Sequence, residues 1–423
     1  MALDSHTDDS VFVVVPVASA RVLYTFGELG RLLGCQFQVV EELWEVEGSP
    51  VLYYWPEKPE KAPWLPWSGF LGESSIRADF LPDPEKDLPA AIFYLLSDYE
   101  KYQTEHFDRH GRYDQQAYPT ADWGLEDQPL VHIWAEQIRG KLTEVYPDFV
   151  FQPPMAELRF TVDIDNAWRY RHKGLAISLA GLGRSLLKGQ FSEFWRRVRV
   201  LTRQAPDPNF TFDQLAELLP PEQTTYFALI DRNSPFDGRY TYQSTALRQL
   251  LQSLESAGNQ VGIHPSYSSF QDPDRIKRET GYLREIIGKE VRCSRQHFLR
   301  FRYPHTFRAL IKAGVKEDYT HCLYHRGGFP QGMARPFLWY DLLAEQQTNL
   351  MLYPTIVMDR SLQHYARMTP TQAIDRTLNL WDITRQSGGV FTLLLHNECL
   401  SETAEWQGWS QAIVTMVNQL KNA

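Results

Sequence analysis

From Leu158 to the C-terminus the chain repeats one pattern, a short apolar, β-rich run followed by a stretch of helical periodicity. The strand candidates are 158–164 (LRFTVDI), 224–231 (TTYFALID), 260–264 (QVGIH), 291–298 (VRCSRQHF), 316–320 (KEDYT), 350–359 (LMLYPTIVMD) and 390–396 (VFTLLLH). Helical spacing marks 244–258, 275–288, 304–314, 370–388 and 409–421, and several of these close on Gly, as a helix C-terminus favours. Six or seven strand–helix units over about 265 residues predict a parallel α/β architecture, a barrel or a doubly wound sheet.

The first 150 residues read as a separate, smaller α/β domain. Strand candidates lie at 11–18, 35–42 and 51–55, and helical patterns at 24–34, 90–102 and 131–145. Between them, PEKPEKAPWLPW (56–67) is a Pro-rich loop that can continue neither a helix nor a central strand. Three prolines in 147–157 make that stretch a linker, so the expected division is 1–150, an accessory domain, and 157–423, the repeating α/β domain. A length of 423 residues accommodates two or three domains.

The composition is that of a globular protein, 43% hydrophobic and 22% charged, which leaves room for a large core. With 43 Lys and Arg against 52 Asp and Glu the net charge is −9, which argues against a general nucleic-acid binder. The charge is uneven: residues 168–203 hold nine Lys or Arg and one acidic residue, Glu193, a local +8 that leaves −17 for the rest. Such a segment suits a lid, a contact with an anionic surface, or a solvated helical pair. Cys35, Cys293, Cys322 and Cys399 are widely spaced, with no zinc-ribbon pattern, and fit a reducing compartment. The acidic N-terminus and the lack of any long apolar run predict a cytoplasmic protein with no transmembrane segment.

In parallel α/β folds the chemistry gathers at the C-terminal ends of the strands. There stand Asp163 and Asp165, then His264, then Arg295 and His297, and finally His396 followed by Asn397 and Glu398. Carboxylates and imidazoles from separate strands are the equipment of a metal-assisted hydrolase: an Asp and a His hold a divalent cation, a second carboxylate takes a proton and a His returns one. Two carboxylates at i, i+2 also need a cation or an arginine nearby, since both would not otherwise stay ionised. His106 and His110, four apart in a polar segment with Asp and Arg, read as a solvated turn rather than a metal pair.

TVDIDN (161–166), GIHPS (262–266), SRQHFLRF (294–301) and LLLHNE (393–398) resemble, in order, the motifs of the NodB homology domain of the polysaccharide deacetylase family, the type-four carbohydrate esterases. The resemblance covers about 157–423. It extends to a bacterial subgroup, through 294–320, ARPFLWYDL (334–342) and YPTIVMD (353–359), in which an N-terminal α/β domain of unknown function precedes the barrel. The family resemblance implies a distorted (β/α)7 barrel and a metal-dependent hydrolase acting on an N- or O-acetylated carbohydrate. It implies Asp163 as catalytic base, Arg295 as the residue orienting it and His396 as general acid. Asp165 and His264 are then ligands of a divalent ion, zinc or else Co, Ni, Fe or Mn, and Tyr267, Asn397 and Glu398 are substrate contacts.

One position departs from that pattern. The family has a second histidine four residues after the first, and here the residue is Ser268, a poor zinc ligand beside imidazole and carboxylate. Ser268, His297 or another side chain completes the site, or water fills the place, or no metal binds. Two alternatives to the deacetylase therefore stand: a non-catalytic glycan-binding or scaffolding protein on a degenerate barrel, and a small-molecule amide hydrolase of the same superfamily.

Overall fold

The computed structural model describes residues 10–42 and 49–422; the acidic stretch 1–9 lies outside them. In chain order the strands are β1 (Ser10–Val14), β2 (Gln36–Val40), β3 (Val51–Trp55), β4 (Trp64–Pro66), β5 (Glu157–Ile164), β6 (Thr224–Ala228), β7 (Gln260–Ile263), β8 (Cys293–Ser294), β9 (Glu317–Asp318), β10 (Phe337–Asp341), β11 (Gln346–Leu352), β12 (Val357–Met358) and β13 (Val390–His396). Contacts divide the chain into two units: 1–157 with 328–356 and 382–391, and 158–327 with 357–381 and 392–423. Two stretches inside the expected 157–423 domain thus pack with the N-terminal residues. Among the described residues no helix is long and apolar enough to cross a membrane.

The first unit holds a parallel four-stranded sheet in the order β2-β1-β3-β4 and the antiparallel pair β10–β11. β4 lies in the Pro-rich 56–67 loop and sits at the sheet edge, where proline is tolerated. Helix Ala20–Leu33 starts on Ser19, whose hydroxyl accepts from Val22 N–H, and stops on Gly34 at φ 67°. Buried polar groups tie the two later stretches into this unit. The fully buried Arg21 guanidinium donates to both Glu345 carboxylate oxygens at 2.6 and 3.0 Å. His132 donates from Nδ1 to Ser387 O at 3.1 Å and accepts Ala334 N–H on Nε2 at 3.1 Å. That pattern requires the neutral ring, and burial holds its pKa down at about 4.

Glu28 on the same helix is buried, and burial raises its carboxyl to about 7 in spite of Arg31 and the Leu338 N–H. The unfolded value is near 4.3, so folding takes up a proton between about pH 4.5 and 7; the stabilisation is complete below that window and is lost as pH rises through it. Glu28→Gln keeps an acceptor and removes the charge. Between pH 5 and 8 the wild type should lose about 2.5 kcal/mol more than the variant, read from urea midpoints of both proteins at both pH values. Equal pH dependence of the two would refute the assignment.

In the second unit the strands follow the order β9-β8-β7-β6-β5-β13-β12. The pairs β5–β6, β6–β7, β7–β8, β8–β9 and β12–β13 are parallel. β13 is buried along all seven residues, as a central parallel strand must be, which explains why VFTLLL is apolar but for Thr392. The seven-stranded barrel implied by the resemblance is not closed: the order does not return from β9 to β12, and β8, β9 and β12 are only two residues long, too short for an extended ladder.

Two long strand candidates are corrected. The 291–298 run pairs only at Cys293–Ser294 and then turns, with Phe298 and Leu299 at φ 59° and 57°. The 350–359 run divides around Pro354 into β11 and β12. Surrounding helices follow their sequence signals. Helix Thr245–Ser256 is capped by Ser244 and buries Leu247, Leu250, Leu251 and Leu254; helix Pro273–Ile287 has Asp272 as its cap and ends at Gly288. The segment after Asp165 is a helical pair, Leu175–Leu187 and Phe191–Leu201.

Candidate metal and active site

Strand register sets the level of the site. Ile263 pairs with Ala228 on one side and Ser294 on the other, and the ladder continues with His264 N–H on Ala228 O at 3.0 Å and Arg295 N–H on Ile263 O at 3.1 Å. His264 and Arg295 therefore emerge together at the C-terminal ends of β7 and β8, beside Asp163 and Asp165 at the end of β5. The approach of β7 to β8 depends on Gly262, where a Cβ would lie 2.6 Å from Cys293 Sγ and 2.7 Å from Cys293 O.

Three groups converge on one point. Asp165 Oδ1 lies 3.2 Å from His264 Nε2 and 3.7 Å from His297 Nε2, and the three ligand atoms sit within 4.8 Å of one another. His264 Nδ1 faces the carbonyl of Arg295 at 2.5 Å. A carbonyl only accepts, so Nδ1 carries a proton and the ring turns its Nε2 to the carboxylates. His297 repeats the arrangement, its Nδ1 donating to Asp237 Oδ1 at 3.1 Å. Asp165 Oδ1 and His297 Nε2 are both buried and make no hydrogen bond. A carboxylate oxygen facing two ring nitrogens needs a proton or a cation among them, and one divalent ion would engage all three atoms at once. Separations of 3.2 and 3.7 Å bracket the edge of about 3.4 Å between two ligands of one tetrahedral ion. Asp237 and the Arg295 carbonyl hold the two rings by their outer nitrogens, as partners of metal-ligating histidines do. This donor set fits a divalent ion.

Electrostatics run the same way. Burial alone would raise the Asp165 carboxyl, but His297, His264 and His396 outweigh it and hold it well below the usual carboxylate range. Burial would lower His297, but Asp165 and Asp237 raise it to about 9. The ring thus prefers a positive neighbour or its own proton.

The groups expected to move protons flank this cluster. Asp163 is buried, and its Oδ1 accepts from Arg295 Nη1 at 2.9 Å while Oδ2 stands 3.7 Å from His264 Nε2. Arg295 is itself fixed by Thr161 Oγ1 at 2.9 Å and Tyr319 O at 3.0 Å and lies over the Phe227 ring. On the opposite side His396 Nε2 lies 3.9 Å from Asp165 Oδ2. Asp359 grips this residue twice, accepting its backbone N–H and its Nδ1–H, each at 2.7 Å. Burial would lower the His396 pKa, but Asp359 and then Asp165 raise it to about 9, favouring the imidazolium.

The other candidates divide. Ser268 is exposed, and the ring that joins Asp165 and His264 in the cluster is that of His297. That ring stands in the short turn after β8, at His297–Leu299. Tyr267 lies in an aromatic group with Phe236 at 4.5 Å and Phe298 at 5.1 Å, and Phe298 lies 4.8 Å from His297. Asn397 is fully buried and donates to Asn209 O at 2.7 Å, while Glu398 pairs with Arg360 and accepts from Asn209 at 3.3 Å. Both are occupied in joining loops. Asp237 and Asp359 were missed by sequence reasoning. Asp359 ends the 350–359 strand candidate, and the strand-end criterion applied there finds it; Asp237 sits in a turn-like loop with no such signal. His106 and His110 form no metal cluster among the described residues.

A model described as a family of unknown function (DUF7033) matches residues 11–147. No curated protein matches the chain. Among solved structures, a probable polysaccharide deacetylase from Pseudomonas aeruginosa PAO1 aligns at 11% identity and TM-score 0.41, covering 64% of this chain and 89% of that one. A polysaccharide deacetylase from Bacillus cereus aligns at 11% identity and TM-score 0.28, covering 62% and 87%. A CE4 family pseudoenzyme from Bacillus anthracis aligns at 12% identity and TM-score 0.32, covering 64% of this chain and 62% of that one. Likeness at this level decides nothing about chemistry, which rests on the site's own residues.

Proposed function

We propose that this chain is a metal-dependent hydrolase that removes acetyl groups from an N- or O-acetylated carbohydrate. The observation that carries the reading is the convergence of Asp165, His264 and His297 on one unsatisfied point, with Asp163 on Arg295 and His396 on Asp359 at its two sides. Two imidazoles and a carboxylate suit zinc or another first-row divalent ion. Bound there, such an ion supplies Lewis acidity, polarising a carbonyl and acidifying water. Asp163 accepts a proton at the carboxylate whose other oxygen Arg295 holds still. His396, kept as an imidazolium by Asp359, returns a proton from Nε2 to the departing amine or alcohol. The aromatic group of Phe236, Tyr267 and Phe298 supports a saccharide substrate, since its rings offer an apolar face to sugar C–H groups.

Purified protein should contain about one divalent ion per chain and release acetate from acetylated oligosaccharides. Chelation should slow release by about 10³-fold or more, the several kcal/mol that Lewis-acid catalysis supplies, and re-addition of zinc should restore it. Elemental analysis with an acetate assay on chito- and xylo-oligosaccharides is the test. A protein that takes up no divalent metal, or whose activity survives chelation, would overturn the reading.

A further inference from the structure

The segment 168–203 begins three residues after Asp165 and takes no part in the site. Its base is fixed: the Asp207 carboxylate accepts the backbone N–H groups of Arg169, Tyr170 and Arg171 at 2.6, 2.8 and 3.0 Å, and Trp168 stacks on Phe210. Beyond that base two helices pack on each other, with Arg197 lying where a Cβ on Gly181 would be. Their outer faces are the reverse of what a water-soluble surface requires. Leu175, Leu179, Leu186, Leu187, Phe191 and Trp195 are between 47% and 91% exposed. Helix Leu175–Leu187 carries one charge, Arg184, and its other exposed residues are all Leu or Ala. Around this apolar surface stand the exposed Arg184, Lys188, Arg196, Arg199 and Arg203. The sole acidic residue, Glu193, accepts from Tyr170 and lies 3.5 Å from Arg197 and 3.7 Å from Arg196.

Helices of 13 and 11 residues are too short to span a bilayer, and an apolar face edged by Lys, Arg and Trp is how a helix lies in a lipid–water interface. The rest of the chain, at −17, is on balance repelled by an anionic surface, whereas this +8 segment is attracted to one. We infer that the helical pair 175–201 docks the protein on an anionic phospholipid bilayer. Resting on the hydrolase reading, the saccharide substrate is then one presented at a membrane surface, since the docking element leaves the chain directly beside Asp165.

The test is co-sedimentation of the full chain with vesicles of phosphatidylcholine with and without phosphatidylglycerol, at low and high salt, with size-exclusion chromatography alongside. Binding is expected only with the anionic lipid, falling with salt. Arg196→Ser with Arg199→Ser should weaken it about 25-fold, at about fivefold per removed charge, and Leu187→Ser with Trp195→Ala should abolish it. Both pairs are exposed, so their thermal midpoints should match the wild type. Absence of binding to anionic vesicles, binding unchanged in both double variants, or a dimer that Leu187→Ser with Trp195→Ala dissociates without any vesicle binding would overturn the inference. None of these readouts uses activity, so failure of docking and failure of the hydrolase reading are separable: acetate release from soluble oligosaccharides reports on the second alone.

Discussion

Replacing His297 by alanine is expected to remove most of the divalent-metal affinity, while replacing Ser268 by alanine leaves it intact. Groups that merely orient a metal-ligating histidine are worth about 10–100-fold in affinity, so loss of the imidazole itself should cost at least about 100-fold. His264→Ala and Asp165→Ala should cost as much, because each supplies one of the three converging atoms. Asp237→Asn should fall between: the His297 ring keeps its place but loses the anion that receives its Nδ1 proton. Competition with a chromophoric chelator measures all five proteins. The outcome that would sink the assignment is metal retained by His297→Ala and lost by Ser268→Ala. The expectation for Ser268→Ala rests on its exposure, since an exposed hydroxyl is solvated and a poor zinc ligand.

Asp163→Asn and His396→Asn are expected to retain the metal and lose acetate release by about 10²–10⁴-fold each, the usual contribution of a positioned acid or base. Asparagine keeps the shape of aspartate and an oxygen for Arg295 Nη1, yet cannot take a proton. The buried Arg295 remains tied to Thr161 and Tyr319, so the variant should fold. His396→Asn removes the acid on the far side of Asp165. Asp359→Asn leaves His396 in place but withdraws the charge that favours its imidazolium, and a smaller loss, about 10-fold to 100-fold, should follow. Metal content by elemental analysis and acetate release by coupled assay separate the two roles. Loss of metal from Asp163→Asn, or full activity of that variant, would remove Asp163 from its proposed place.

Much of the fold was readable because local rules were obeyed. β5 and β13 declare themselves by apolar runs of strand length, and the 244–258 and 275–288 helices by Ser or Asp caps, leucine spacing and a closing glycine. Where the reading failed, backbone geometry or packing overrode residue preference. The 291–298 run looks like one strand, but positive φ at Phe298 and Leu299 turns it, and the ladder partner on β9 lasts two residues. Nor does local sequence mark 328–356 and 382–391 as belonging with the N-terminal unit, because the groups that bind them there, Arg21 and His132, are hundreds of residues away.

The site divides along the same line. By itself the sequence determined which strand ends carry ionisable groups: Asp163, Asp165, His264, Arg295, His297 and His396 follow from alternating strands and helices, since a parallel sheet delivers every C-terminal end to one side. It also exposed the gap at Ser268 and the +8 segment after Asp165. Only the tertiary structure decided that His297 lies beside Asp165 and His264, that Asp237 and Asp359 pair with the His297 and His396 rings, and that the basic segment turns leucines and a tryptophan outward. Those outcomes depend on distances of a few ångströms between residues separated by 37 to 132 positions, such as His396 to Asp359 and Arg295 to Asp163, and on which face of a helix finds a partner. Residue order records neither, because hydrogen bonds and repulsions act through space after the chain has folded.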